Sequence, residues 1–173
     1  MSRLRRLVLS DRFFFLTVKL LPKRRPLDEW QFALLARCLS VVRSRCPFQL
    51  TAWVLLPDHW HVILFPRYPL TISAAMKSIK LSSTNSLGRH RGEAGELWQG
   101  RFFDRALRTV KEYTETVEYI HQNPVRQGCV RHPSEWRWSS YREYAGVSAV
   151  EQEKRCGLII DRVQLPSDGN ARI

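Results

Sequence analysis

The sequence is short of acidic residues, short of cysteines at useful spacings, and without any long apolar run. Only 16 Asp and Glu stand against 28 Lys and Arg, so 173 residues carry a net charge of +12 with a pI near 10.2. A deficit of acid on that scale points to a polyanionic partner, nucleic acid first. A basic protein with no dedicated partner is the alternative. Four cysteines (Cys38, Cys46, Cys129, Cys156) show no CxxC spacing, which argues against a zinc knuckle and a disulfide framework. They read as reduced thiols of a cytoplasmic protein. No stretch of about 18 apolar residues is present to span a bilayer, so a membrane partner is not expected. The opening "MSRLRRLVLSDRFFFLTVKLLPKRRPL" places arginines before apolar residues, as a signal peptide does, yet Asp11, Arg12 and Lys19 interrupt it and no small-residue cleavage site follows. Internal repeats and low-complexity segments are missing too. With 44% apolar and 25% charged residues, the chain has the composition of an ordinary globular domain, and its length suits one.

What is present is a regular alternation of strand and helix signals. "RFFFLTVKLL" (12–21) is rich in aromatic and β-branched residues and reads as a strand. Residues 27–45 carry apolar side chains near helical period, and Pro47 stops them. "FQLTAWVLL" and "HWHVILF" flank Pro57-Asp58 and read as a hairpin. Thr71 can cap a helix over 72–87. "LWQGRFFDRAL" (97–107) reads as a fourth strand. Thr109 and Glu112 form a capping box for a third long helix, which Pro124 is expected to end. "HPSEWRWSSYREYAG" adds a short aromatic-rich helix. Beyond Gly146 the pattern fades, giving one expected domain over 1–146 and a tail, 147–173, without assignment. The order β-α-β-β-α-β matches a ferredoxin-like (RRM-like) α+β sandwich with an antiparallel sheet. That sheet serves many functions, so the fold alone decides nothing.

Two features carry chemistry. His59 and His61 lie two apart on a strand and share a face, whereas Trp60, Val62 and Leu64 make the other face apolar. Neutral imidazole is a common metal ligand, although two satisfied core histidines would look the same. In the third helix, Val110, Tyr113, Val117 and Ile120 form the packing stripe. Tyr119 lies off that stripe, and Asn123, one turn later, shares its side. If that side meets the histidines, an oxygen ligand and a nucleophile arrive together. The bland reading is an exposed tyrosine and an Asn at a helix end.

Together, "AWVLLPDHWHVIL", "LWQGRFFDRALR", "VEYIHQNPVRQG" and "WRWSSYREY" resemble the HUH single-tyrosine transposases, and within them the REP-associated tyrosine transposases of bacteria. The resemblance runs from about Phe13 to Tyr144. It implies an HUH-type sheet on which His59, His61 and Asn123 hold Mg²⁺ or Mn²⁺. It also implies that Tyr119 attacks a phosphodiester of single-stranded DNA, becoming linked to the 5′-phosphate, and that imperfect hairpins of repetitive extragenic palindromes are recognised. Members of the wider family carry Gln or His where this chain has Asn123. Members often have a Gly and a Tyr before the first strand, where this chain reads "SDRFFF".

Candidate phosphate contacts are Arg3, Arg5 and Arg6; Lys77 and Lys80, which share a helix face; Arg101 and Arg105; and Arg126 beside the proposed site. Lys23, Arg24, Arg25, Arg89, Arg91 and Arg108 are further basic residues with an equal claim to being plain surface charge. Trp136, Trp138 and Tyr141 offer stacking surfaces, with packing as the favoured role; Gln99 is left without assignment. A hairpin-binding module that cuts nothing, and a decayed transposase kept for binding, are the competing functions. Monomer and homodimer are both compatible with one tyrosine per chain.

Overall fold

The computed structural model describes residues 10–173; Arg3, Arg5 and Arg6 fall outside them. Four antiparallel strands, β1 (Phe14–Lys19), β2 (Phe48–Leu55), β3 (His59–Pro66) and β4 (Phe103–Ala106), form one sheet in the order β2-β3-β1-β4. Helices α1 (Glu29–Arg45) and α2 (Ile72–Arg91) cover one face, and α3 (Val110–Arg126) covers the other. This is the expected ferredoxin-like α+β sandwich.

Alternation along β1 and β3 sorts side chains between the two faces. Leu16, Val18, Trp60, Val62 and Leu64 enter the core beneath α1 and α2. Phe13, Phe15 and Ile63 pack instead with Tyr113, Val117 and Ile120 of α3. β2 switches phase partway. A bulge between Leu50 and Ala52 leaves Thr51 as an extra residue. Phe48 and Leu50 therefore share a core with Trp53 and Leu55, whereas Ala52 and Val54 turn towards α3.

The caps explain the helix starts. Asp28 accepts from the Gln31 backbone N–H at 2.9 Å while the Gln31 side chain accepts from the Asp28 N–H, a full capping box for α1. Thr71 accepts from Ala74 N–H, and α2 runs on to Arg91, where left-handed Gly92 ends it. At α3 the expected box is only half formed. Thr109 accepts from Glu112 N–H, but the Glu112 carboxylate accepts from Arg108 N–H at 2.7 Å rather than from Thr109.

Three sequence expectations change. The fourth strand is short, because residues before Phe103 bind the end of β1 singly: Gln99 donates its backbone N–H to Lys19 O and its side-chain Nε2–H to Leu20 O. Pro124 does not end α3. Lying in the last turn, it forfeits one backbone donor, and Gln127 N–H still closes on Asn123 O at 2.9 Å. The aromatic segment forms a 3₁₀ turn (Pro133–Glu135) and a single helical turn, α4 (Tyr141–Tyr144). Between them an extended stretch pairs with the open edge of β2 through Leu55 N–H to Trp138 O and Ser140 N–H to Trp53 O.

The tail is packed. Helix α5 (Ala149–Cys156) is capped by Ser148. Leu158 enters the α1/α2 core, and Val163, Leu165 and Ile173 lie against the α3 core. Asp161 accepts from Leu50 N–H and from Arg43, and the carbonyls of Gly169 and Ala171 accept from Lys111 and Val110 N–H. The tail so supplies the acceptors for the first turn of the helix that carries Tyr119.

Candidate active site

β3 is a central strand, and its register sets His61 opposite Thr17 and His59 opposite Lys19 of β1. Both rings turn to the α3 side, with centroids 4.8 Å apart. Each has one nitrogen engaged. His59 Nδ1 lies 2.6 Å from Asp58 Oδ1, and His61 Nδ1 lies 2.9 Å from Thr17 Oγ1. With the proton on Nδ1 in both, each ring keeps an Nε2 lone pair. His61 is only 3% exposed, and its Nε2 is buried without a partner. Burial, and next the neighbouring His59, push its pKa down to about 3, so the ring is neutral and able to act as a ligand near neutral pH.

Helix α3 meets this pair. Tyr113, Val117 and Ile120 are buried as expected, and Tyr119 is 37% exposed. The Tyr119 ring stands edge-on to His61 at 5.5 Å and to Phe15 at 5.8 Å, while the Arg126 guanidinium sits 5.1 Å from its centroid. Tyrosine and histidines thus come from a single chain. Asn123, one turn on, is 2% exposed, and its Oδ1 has no partner. A buried polar atom left unpaired costs about 1–3 kcal/mol. His61 Nε2 is one such atom beside Tyr119, Asn123 Oδ1 is another one helical turn on, and the His59 ring lies next to His61. Two imidazoles and an amide oxygen fit a divalent cation. Among the described residues no group of three His, Cys, Asp or Glu could hold a metal, so His59 and His61 would need a ligand of another kind, for which Asn123 is the candidate.

The rival phenol is excluded by its surroundings. Tyr113 is buried, its hydroxyl donates to Tyr144, which donates to Thr51 O, and burial pushes its pKa up. The other aromatic candidates serve packing. Trp138 is in the core, Trp136 donates its indole N–H to Leu55 O, and Tyr141 packs edge-on against His121.

The basic candidates divide. Arg105 and Arg126 border Tyr119. Lys77 and Lys80 line one cleft of about 460 Å³ between α2 and residues 95–102, away from Tyr119. The Lys80 ammonium donates to Gln99 O at 2.7 Å and Gly100 O at 3.1 Å, a task within the fold that the sequence did not suggest. Arg24 likewise clamps Glu93, Ala94 O and Glu96 O, and Arg91 donates to Gln31 Oε1. Arg101 is exposed. Thr17 and Asp58, which orient the histidines, were missed. Asp58 adjoins His59 in sequence and was legible; Thr17 became visible only through strand pairing.

A histidine pair on a central strand, facing one tyrosine on the long helix across that face of the sheet, is the layout of an HUH single-tyrosine transposase, an enzyme that cleaves and transfers DNA strands. The chain belongs to the IS200-like transposase family, whose profile ("Transposase IS200 like") matches residues 22–123 and so takes in His59, His61, Tyr119 and Asn123. It is 34% identical over 142 residues to the REP-associated tyrosine transposase of Escherichia coli (strain K12), covering 82% of this chain and 83% of that protein. It is also similar to a solved structure of a REP-associated tyrosine transposase bound to a REP hairpin, with a TM-score of 0.74, 30% identity, and coverage of 100% of this chain and 99% of that one.

Proposed function

We propose that this transposase nicks and rejoins single-stranded DNA next to REP-like hairpins through a covalent bond between Tyr119 and a 5′-phosphate. The observation that carries the reading is the edge-on approach of Tyr119 to His61 within one chain, beside buried acceptors without a partner among the described residues. In the forward step the Tyr119 phenolate oxygen, its proton lost to water, forms a bond to phosphorus. The bond from phosphorus to the 3′-oxygen breaks, and that oxygen leaves as a hydroxyl after taking up a proton. Attack by another 3′-hydroxyl reverses the step and joins strands.

Each side chain has a task. Phe15 and His61 hold the Tyr119 ring edge-on. Arg126, against that ring, is placed to neutralise the scissile phosphate. Asp58 and Thr17 fix the imidazole tautomers. His59, His61 and Asn123 would hold Mg²⁺ or Mn²⁺, which supplies Lewis-acid polarisation of the phosphate when bound. Arg101, Arg105, Lys77 and Lys80, with Arg3, Arg5 and Arg6 of the undescribed segment, are the proposed wider DNA contacts. Since one chain supplies both tyrosine and ligands, a monomer is sufficient for cleavage. The four thiols are unpaired, and the cytoplasm is the compartment this reading assigns.

The test is incubation with a labelled hairpin oligonucleotide and Mg²⁺ or Mn²⁺. A denaturation-resistant protein–DNA adduct is expected, lost with chelator and in Tyr119→Phe. Hairpin binding without an adduct under any of these metals contradicts the reading and leaves a binding module.

A further inference from the structure

Beside Tyr119 lies a cleft of about 270 Å³ walled by Phe15, Phe103, Arg105, Glu115, Thr116 and Tyr119. Phe103 and Arg105 are two residues apart on β4, so both turn to the α3 side, opposite Thr17 and Phe15 of β1. Phe103 is 56% exposed. A single exposed apolar ring needs no explanation, but this one has company. Phe15 packs edge-on against Phe103 at 6.0 Å and against Tyr119 at 5.8 Å, so three rings line one wall. Arg105 is held at the rim: its NH2 donates to Thr116 Oγ1 at 2.9 Å, and that hydroxyl donates to Glu112 O at 2.6 Å. Glu115 also borders the cleft, and its carboxylate repels phosphate. A neutral aromatic ring suits these walls; the DNA backbone does not.

We propose that this cleft receives one unpaired base of a nucleotide flanking the scissile phosphate, stacked on Phe103 with Arg105 at its edge. The proposal rests on Tyr119 being the nucleophile, since that places the phosphate at the mouth of the cleft. It makes Phe103 a residue that determines where the strand is cut, separately from whatever surface holds the hairpin. Stacking on an aromatic ring accepts any base, so it supplies affinity. Arg105 and Glu115 at the rim, a donor and an acceptor, supply the choice among bases.

Two measurements on the full chain test it. In the first, Tyr119→Phe protein, which keeps the ring wall and has no phenolic oxygen to bond to phosphorus, binds a short mixed-sequence single strand labelled with a fluorophore. Adding Phe103→Ala is expected to weaken binding by about five- to a hundred-fold. Phe103→Trp restores it, and hairpin duplex lacking the single strand binds equally to all three. In the second, protein with Tyr119 intact acts on a pool of hairpins randomised in the adjoining single strand, and the captured strands are sequenced. Phe103→Ala, which removes the platform that holds a base against Arg105 and Glu115, is expected to lose the base preference at one position beside the cut while keeping its choice of hairpin. Unchanged single-strand affinity, or an unchanged preference beside the cut, overturns the proposal. If no strand is captured even by the unaltered protein, the cleavage reading fails and the binding measurement alone decides the cleft. A ring that merely covers Phe15 would lower the melting temperature without changing either DNA readout.

Discussion

The two faces of the sheet are built from the same strands and do different work. Beneath α1 and α2, Leu16, Val18, Trp60 and Val62 join Trp53 and Trp98 in a core where the Trp98 indole N–H donates to Ser83 at 2.8 Å. Beneath α3, the same strands present Thr17, His59 and His61 between Phe15 and Tyr119. Strand alternation lets one residue step separate an apolar anchor from a candidate ligand: Trp60 is fully buried on one side, and its neighbours His59 and His61 face α3 on the other. The larger apolar core lies on one face, and the candidate ligand atoms on the other.

That division predicts opposite outcomes for neighbouring substitutions. Tyr119→Phe removes the proposed nucleophile but keeps the ring contacts, so adduct formation should vanish with the melting temperature almost unchanged. Trp60→Ala touches no part of the site and should cost about 3–5 kcal/mol of stability, while any protein that stays folded still forms the adduct. A chemical denaturation curve beside an adduct assay separates the two. A stable, inactive Trp60→Ala protein would break the comparison.

A finer distinction lies within the α3 face. Asn123→Leu replaces a buried oxygen that lacks a partner with an apolar group of similar shape. Without metal, the variant should be as stable as the parent or up to about 1–3 kcal/mol more so, which is several degrees for a chain of this size. The rise in melting temperature that Mn²⁺ gives the unaltered protein should be lost. A metal-free variant that melts earlier, or one that still responds to Mn²⁺, would show that Asn123 is a structural residue and not a ligand.

The smallest effect is expected at the outer edge of β2, where the tail fastens both faces. Glu143 is buried there, accepting from Ile160 N–H, with Arg162 and Arg43 near it and Asp161 opposing them. Burial pushes its pKa up from 4.5 to about 7. The unfolded chain therefore ionises first. The contribution of this group to stability is complete below about pH 4.5 and is lost as pH rises through about 7, at most about 3 kcal/mol in total. Glu143→Gln should flatten the stability curve between those limits. An unchanged slope would show that the carboxyl is not the titrating group.

Much of the site was legible because it rests on local periods. Two histidines two apart on a strand must share a face, and Tyr119 and Asn123 four apart on a helix must share a side; the structure sets Tyr119 edge-on to His61. The α3 stripe of Tyr113, Val117 and Ile120 followed from the same rule. What escaped depends on pairing between distant segments. Thr17 meets His61 across a separation of 44 residues, fixed only by strand register. The Thr51 bulge, which reverses the alternation of β2, has no local signature. Pro124 reads as a stop unless one knows that the helix is already in its last turn. The tail has little period of its own, because its order comes from acceptors offered to α3 and from Asp161 on Leu50. Lys80 resembled a phosphate contact because nothing nearby in the sequence reveals the carbonyls of Gln99 and Gly100 that it holds.

The most direct test of the account is to digest the covalent protein–DNA adduct and identify by mass spectrometry the peptide that carries the nucleotide. The prediction is a single modified side chain, Tyr119, with the phosphate on its phenolic oxygen. A nucleotide found on Tyr113, or on any side chain other than Tyr119, would contradict it.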